Sequence, residues 1–369
     1  MSPEHREHGR SDPAERDRSR VKQGARILVS LALVGAMFFY MLGHLADFSD
    51  VRAAIGDMTS IELATLGLLA AWNLATYWLV MVAATPGLTY RQAMVLTEST
   101  TAVANTVPGG SAVAMGLTYA MLGSWGFSRS RSTLAVVVSG VWNNFAKLGL
   151  PVLALALLAL QGRASAGRVT AGLFGIVALA ASITVFALML RREAFARTVG
   201  ERAAGVATRV RRVLKKGPAE GWGDATVKFR NRTIGLVRHS GLRLTVATVV
   251  SHLSLFLVLL VALRHIGVSE REVSWTEVLA VFAFVRLLTA IPITPGGLGV
   301  VELGLIAGLK AAGGDEAQVV AAVLIYRILT YVVPIPLGLV TYVFWRRNRS
   351  WRNSAPPLNP ALATVGEAA

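Results

Sequence analysis

The chain has 369 residues, 54% of them hydrophobic and 16% charged, with a mean hydropathy of +0.54. That apolar content exceeds what a soluble core of this size needs, and it marks a membrane protein. Without a cysteine, disulfides and thiolate–metal or haem–thiolate sites are excluded, and the net charge of +16, which in a soluble protein would suggest nucleic acid, needs another cause.

In chain order, the first 26 residues are polar and of mixed charge, and no small-residue cleavage site follows the first apolar run. They read as a cytoplasmic tail ahead of a retained anchor. Crossing the hydrocarbon takes about 20 apolar residues in a helix. Six stretches qualify as full spans: 27–45, 61–85, 132–160, 169–190, 244–266 and 317–345. Residues 346–369 form a second cytoplasmic tail.

The basic residues sort by this topology. Of the 37 Lys and Arg, 28 fall on one side: before the first span, at Arg91, Arg129 and Arg131, throughout 191–243, and after Trp345. Arg52, Arg163 and Arg271 are among the few on the other. This is the positive-inside pattern, so both termini and the basic loop 191–243 are expected in the cytoplasm of a multi-pass protein, with the loop along the anionic inner leaflet. Nothing in that loop resembles a base-stacking platform or a recognition module, so nucleic acid is not expected as a partner.

Two apolar segments are interrupted in the same way. "TAVANTVPGG" carries Pro108, Gly109 and Gly110, and "TAIPITPGGLG" carries Pro295, Gly296, Gly297 and Gly299. Proline removes a backbone donor and blocks the helix, while glycine pairs allow positive φ and a close reversal. The pieces on either side are short for a span, and irregular backbone at membrane depth survives only where protein or a water-filled cavity shelters it. Each hinged pair, re-entrant or broken, is therefore expected to line something. If each enters and leaves by one face, the first opens to the cytoplasm and the second to the outside. Residues 61–160 (repeat A) and 244–345 (repeat B) then form an inverted repeat. The expected fold is an all-α polytopic bundle of six spans plus two hinged pairs, a plan in which substrate sits near the midplane between the repeats.

Ionisable groups at membrane depth are costly and mark function or pairing. Here they are Arg286, Glu302 and Arg327 in the second half, with Tyr326 and Tyr331 beside Arg327; the first half offers Glu98, Asn105, Asn143, Asn144 and Lys147. Cations outnumber carboxylates, which suits an anionic ligand such as a phosphate-bearing lipid headgroup. Helix N-termini after Gly110 and Gly297 add to that preference. Glu302 has two readings, substrate contact or a cap on its own helix paired with Arg286; Arg327 is either a ligand-binding group or a structural ion-pair partner. His252 reads as a hydrogen-bonded group between helices. Trp72, Asn73 and Tyr77 fit either interfacial anchoring or cavity lining.

At "RLLTAIPITPGGLGVVE" the chain resembles the family named for the transmembrane region of lysylphosphatidylglycerol synthases, also called flippase-like or YbhN-type. Arg286, Pro295, Gly296, Gly297, Leu298, Gly299 and Glu302 carry the likeness, which extends over 27–345. It implies a translocase of lipids without the synthase's soluble domain, since 24 residues after Trp345 are too few for one. Stand-alone relatives are linked to polyprenyl-phosphate sugar pathways, which makes envelope-biosynthesis enzymes candidate partners and a bacterial inner membrane the expected location. The first hinge departs from the pattern, with Ser111 and Met115 where the second has Leu-Gly and Glu. The leading expectation is a flippase for an anionic phospholipid or polyprenyl-phosphate-linked intermediate working by alternating access, without cofactor, metal or catalytic residue. An integral-membrane transferase acting on a lipid phosphate and a non-transporting scaffold are the alternatives; no metal-ligand or base cluster favours the transferase.

Overall fold

The computed structural model describes residues 53, 56–107, 109–162, 166–213, 217, 221–289 and 294–352. The described residues are helical or in turns, with no strand among them. The helices are α1 (Ser60–Ala84), α2 (Tyr90–Thr106), α3 (Gly110–Ser124), α4 (Arg129–Leu160), α5 (Ala166–Arg191), α6 (Glu193–Val213), α7 (Trp222–Ile266), α8 (Trp275–Leu288), α9 (Val300–Ala311), α10 (Glu316–Arg327), α11 (Pro334–Arg347) and the short α12 (Arg349–Arg352). Five stretches are long and apolar enough to cross a membrane: α1, α4, residues 172–191 of α5, α7, and 316–347. They match five of the six expected spans. The sixth, 27–45, lies outside the described residues, as do the tail 1–26, the hinge residue Pro108 and the part of the tail 346–369 beyond residue 352.

Helix starts follow local chemistry. Thr59 and Glu62 form a capping box at α1, with the Thr59 N–H donating to Glu62 Oε2 at 2.8 Å and the Glu62 N–H to Thr59 Oγ1 at 3.3 Å. Thr89 and Gln92 repeat it at α2, at 3.0 and 3.3 Å. The α7–α8 connection is clamped by Arg264, which donates to the carbonyls of Val268 and Val273 at 2.8 Å each and pairs with Glu270. In the same loop Glu272 accepts from the Ser269 N–H at 2.7 Å, which holds its carboxyl below the usual range.

The first hinge turns at Gly109, with φ at 66°. Gly110 sits against the last turn of α2, where a Cβ would lie 2.5 Å from the Ala104 carbonyl oxygen. The second turns through a 3₁₀ segment, Pro295–Gly297, with positive φ at Gly296, Gly297 and Gly299. Its outgoing helix starts at Val300, capped through Gly299, rather than directly after Gly297. At 1.5 Å per residue, arms of 12 to 17 residues reach about 18 to 25 Å, short of a hydrocarbon core of about 30 Å.

Both hairpins double back. Leu88 and Ala93 at the start of α2 share one apolar cluster with Leu122 and Trp125 at the end of α3, with Met81 and Val82 near the end of α1, and with Trp345 of α11. A second cluster joins Val273 and Val278 at the start of α8 to Leu309 at the end of α9, Leu158 of α4, and Met58 just ahead of α1. The first hairpin thus returns to the end of the bundle where α1 finishes, the second to the end where α1 begins. Between them, α1 packs along α7, α2 lies against α11, and α8 lies against α4.

Two expectations about the long elements change. The segment 317–345 is not one α-helix: α10 passes through a π turn, Ile328–Val332, into α11. Pro334 has no N–H to offer the turn before it, and the Val333 N–H reaches back five residues to the Ile328 carbonyl at 2.9 Å. The basic loop is largely helical. Its second half is the start of α7, whose 45 residues run about 68 Å, so that this half is a helical projection continuous with the expected span 244–266. α6 packs back on that projection, with Ala196 fully buried and Arg197 bonded to Asp224 at 2.6 Å.

Candidate functional site

A cavity of about 470 Å³ lies where the two hinges, α1, α4 and the π turn meet. Its wall includes Glu98 and Asn105 from α2, Asn143 and Lys147 from α4, Arg286 from α8, Tyr326 and Arg327 from α10, Tyr331 from the π turn, and Gly296 and Gly297 from the second hinge. Every ionisable residue singled out in the sequence lines it except Glu302, which lies just behind, and His252 on α7. Gly109, Gly110 and Gly299 shape the hinges without reaching the wall, and Asn144 also lies off it.

Arg327 organises one side. Its Nε donates to Glu302 Oε1 at 2.6 Å, its Nη2 to the Gly296 carbonyl at 3.4 Å, and its guanidinium lies 4.5 Å over the Tyr331 ring. The other Glu302 oxygen accepts the Gly299 N–H at 2.8 Å. Glu302 is therefore both cap and ion-pair partner, but its partner is Arg327 rather than Arg286. The reason is packing: the first turn of α9 faces the last turn of α10, which brings the Arg327 guanidinium onto Glu302. Side-chain exposures of 0% and 6% make this a dry pair.

Tyr331 ties the two hinges together. Its hydroxyl donates to the Asn105 carbonyl at 2.7 Å, and Asn105 Nδ2 donates to the Tyr331 carbonyl at 3.4 Å. Gly296 lies against the same ring, so close that a Cβ there would collide with it and stand 2.8 Å from Asn105 Oδ1.

On the other side no ion pair joins the cations to an acid among the described residues. Arg286 Nε is buried without a hydrogen-bond partner, and Lys147, 9% exposed, makes no hydrogen bond or ion pair with a described residue. Glu98 accepts from Trp78 Nε1 at 2.7 Å through Oε1 while its Oε2 has no partner. A buried arginine edge and a buried lysine facing a polar cavity can hold a phosphate or carboxylate through charge-assisted hydrogen bonds.

The undecided residues now have places. Tyr77 lines the cavity; Asn73 bonds α7 through the Ser251 carbonyl and Ser254 Oγ at 3.4 and 3.3 Å; Trp72 is exposed on the outer surface. His252 is buried as expected, but its Nδ1 bonds the Thr248 carbonyl of its own helix at 3.0 Å rather than a neighbouring helix, and Nε2 has no partner. The sequence reading missed the hydroxyls of the wall, among them Thr97, Thr101, Thr289 and Thr330. Their signal was present: Thr97, Glu98, Thr101 and Asn105 recur at helical spacing, a polar stripe on one face of α2.

The description "Lysylphosphatidylglycerol synthase TM region" matches residues 27–338. A phosphatidylglycerol lysyltransferase of Staphylococcus haemolyticus is 33% identical over 73 residues, 20% of this chain and 9% of that protein. The UPF0104 membrane protein MJ1078 of Methanocaldococcus jannaschii is 42% identical over 62 residues, 17% of this chain and 26% of that protein. A phosphatidylglycerol lysyltransferase of Staphylococcus xylosus is 27% identical over 110 residues, 29% of this chain and 13% of that protein. The matches thus span about a quarter or less of these relatives. With the family match running through both hinges and nearly all of the membrane part, the chain belongs to the lysylphosphatidylglycerol synthase transmembrane-region family.

Proposed function

We propose that the protein is a lipid translocase: it moves an anionic phospholipid or a polyprenyl-phosphate-linked intermediate between leaflets by alternating access, headgroup in the cavity and chains in the bilayer. The observation that carries this reading is the pair Arg286 and Lys147, joined to no acid among the described residues, on the wall of a polar cavity inside a membrane bundle. Unpaired charge at that depth is costly unless a ligand answers it. Arg286, Lys147 and the outer edge of Arg327 hold the anion; Asn105, Asn143, Tyr326 and Tyr331 shape the pocket around it.

The two hairpins act as gates. Neighbour relations support an inverted repeat of 61–160 and 244–345, because three main contacts pair up: α2 against α11 answers α8 against α4, α3 against α4 answers α9 against α10, and α1 against α7 answers itself. The charge asymmetry supports cytoplasmic termini in a bacterial inner membrane and a cytoplasmic segment at 191–243.

The test is leaflet exchange in proteoliposomes carrying a fluorescent phosphatidylglycerol, read by quenching of the outer leaflet with a membrane-impermeant reductant. Wild-type protein is expected to exchange the probe, and Arg286→Ala and Lys147→Ala to lose most of the rate. Equal rates with and without protein, or unchanged rates in both variants, overturn the reading.

A further inference from the structure

Among the described residues Glu98 is the one carboxyl on the cavity wall, it is 3% exposed, and its Oε2 has no hydrogen-bond partner. Oε1 is satisfied by the Trp78 indole of α1. No Lys or Arg among the described residues forms an ion pair with it. Glu302, the other intramembrane carboxylate, is its opposite: both oxygens are engaged, one by Arg327 and one by the Gly299 N–H. Both Glu302 oxygens are thus engaged away from the ligand space, whereas Glu98 belongs to the cavity wall and keeps one buried oxygen without a partner.

A carboxylate and a lipid phosphate repel each other when they share a cavity of this size away from bulk water. The conflict disappears when the carboxyl carries a proton. We infer that transport is proton-coupled, with Glu98 as the proton-carrying group; this rests on the translocase reading above. In the loaded state one proton sits on Glu98 Oε2, whose O–H donates to an oxygen of the anion, while Arg286 and Lys147 hold the negative charge. On release the anion and the proton leave to the same side. The empty cavity then returns with Glu98 as carboxylate, so the cations that faced the phosphate face the carboxylate instead. No bond other than the O–H is made or broken, and one proton crosses with each anionic headgroup.

The groups around Glu98 limit the competing explanations. α1 presents Tyr77 and Trp78, α11 presents the uncharged Gly338, and across the cavity stand Lys147, Arg286, Tyr326, Arg327 and Tyr331. The rival proton carrier is His252, buried on α7 within range of the Arg286 and Lys147 charges, with Nε2 unpartnered. It does not line the cavity.

The experiment is calorimetric binding of dihexanoyl phosphatidylglycerol to the full-length protein in detergent, run in buffers of different ionisation enthalpy. That probe is a phosphodiester of fixed charge across the working range, so any proton taken up belongs to the protein. Wild type is expected to take up about one proton per probe bound, with affinity falling about tenfold per pH unit on the alkaline side. Glu98→Gln is expected to bind with no proton uptake and no such slope; Glu98→Asp and His252→Gln keep both. Binding by wild type without proton uptake, uptake that survives in Glu98→Gln, or uptake lost in His252→Gln overturns the inference and leaves the translocase reading standing. Wild type that neither binds nor exchanges the probe overturns both. Should Glu98→Gln fail to fold, the wild-type titration against Glu98→Asp and His252→Gln still decides.

Discussion

Removing one member of the Arg327–Glu302 pair leaves its partner as an unanswered buried charge. In Glu302→Ala the guanidinium keeps only a long 3.4 Å bond to the Gly296 carbonyl and its contact with the Tyr331 ring, in a place where the Arg327 side chain is 6% exposed. Breaking a buried pair by deleting one partner costs about 3–5 kcal/mol, because the other charge is left unanswered. The Gly299 N–H loses its acceptor as well, adding about 1 kcal/mol for the lost cap. The double variant Glu302→Leu/Arg327→Met removes both charges and keeps the volume, and such replacements are often neutral or stabilising. Denaturant titration of purified protein, followed by tryptophan fluorescence, is expected to show Glu302→Ala destabilised by about 4–6 kcal/mol, Arg327→Met by about 3–5 kcal/mol, and the double variant recovering most of the loss. Single variants within about 1 kcal/mol of wild type, or a double variant as damaged as the sum of the singles, would refute the pairing argument.

Three further outcomes follow from the hinges and the topology. Gly296→Ala places a side chain at φ 58° against the Tyr331 ring, and is expected to cost more than the roughly 1–2 kcal/mol of left-handed backbone alone; thermal unfolding measures it, and an unaltered midpoint contradicts the close approach. Tyr331→Phe deletes the bond to the Asn105 carbonyl and is expected to lose about 0.5–1.5 kcal/mol while increasing solvent exchange of amides around residue 105; unchanged exchange there speaks against a link between the hinges. Because the chain has no cysteine, single exposed cysteines report topology without background. Arg129→Cys and Arg271→Cys are expected to react with an impermeant maleimide from opposite faces of the membrane, and reaction of both from one face would sink the inverted arrangement.

Much of the site was legible in the chain. Arg286, Arg327, Lys147, Glu98, Asn105 and Asn143 were picked out because polar groups at membrane depth are expensive, and that cost alone gathers them around one cavity. The glycine pairs were equally readable, since only glycine tolerates the positive φ seen at 109, 296 and 297. Apolar run length likewise marked α1, α4, α5 and α7 as helices long and apolar enough to cross a membrane.

What sequence alone left open is what depends on which surfaces meet. Whether Glu302 answers Arg286 or Arg327 turns on the first turn of α9 facing the last turn of α10, a matter of helix packing that no local pattern encodes. The π turn at Ile328–Val332 follows from the missing N–H of Pro334, yet its result, Tyr331 aimed at Asn105 more than two hundred residues earlier, is a tertiary fact. That the polar first half of α7 runs on unbroken into the apolar span and pairs with α6 is likewise a matter of packing. Hydrophobic length and the cost of buried charge act residue by residue and can be read from a string; ion-pair choice and hinge contact are set by distances between distant segments, which only the folded chain defines.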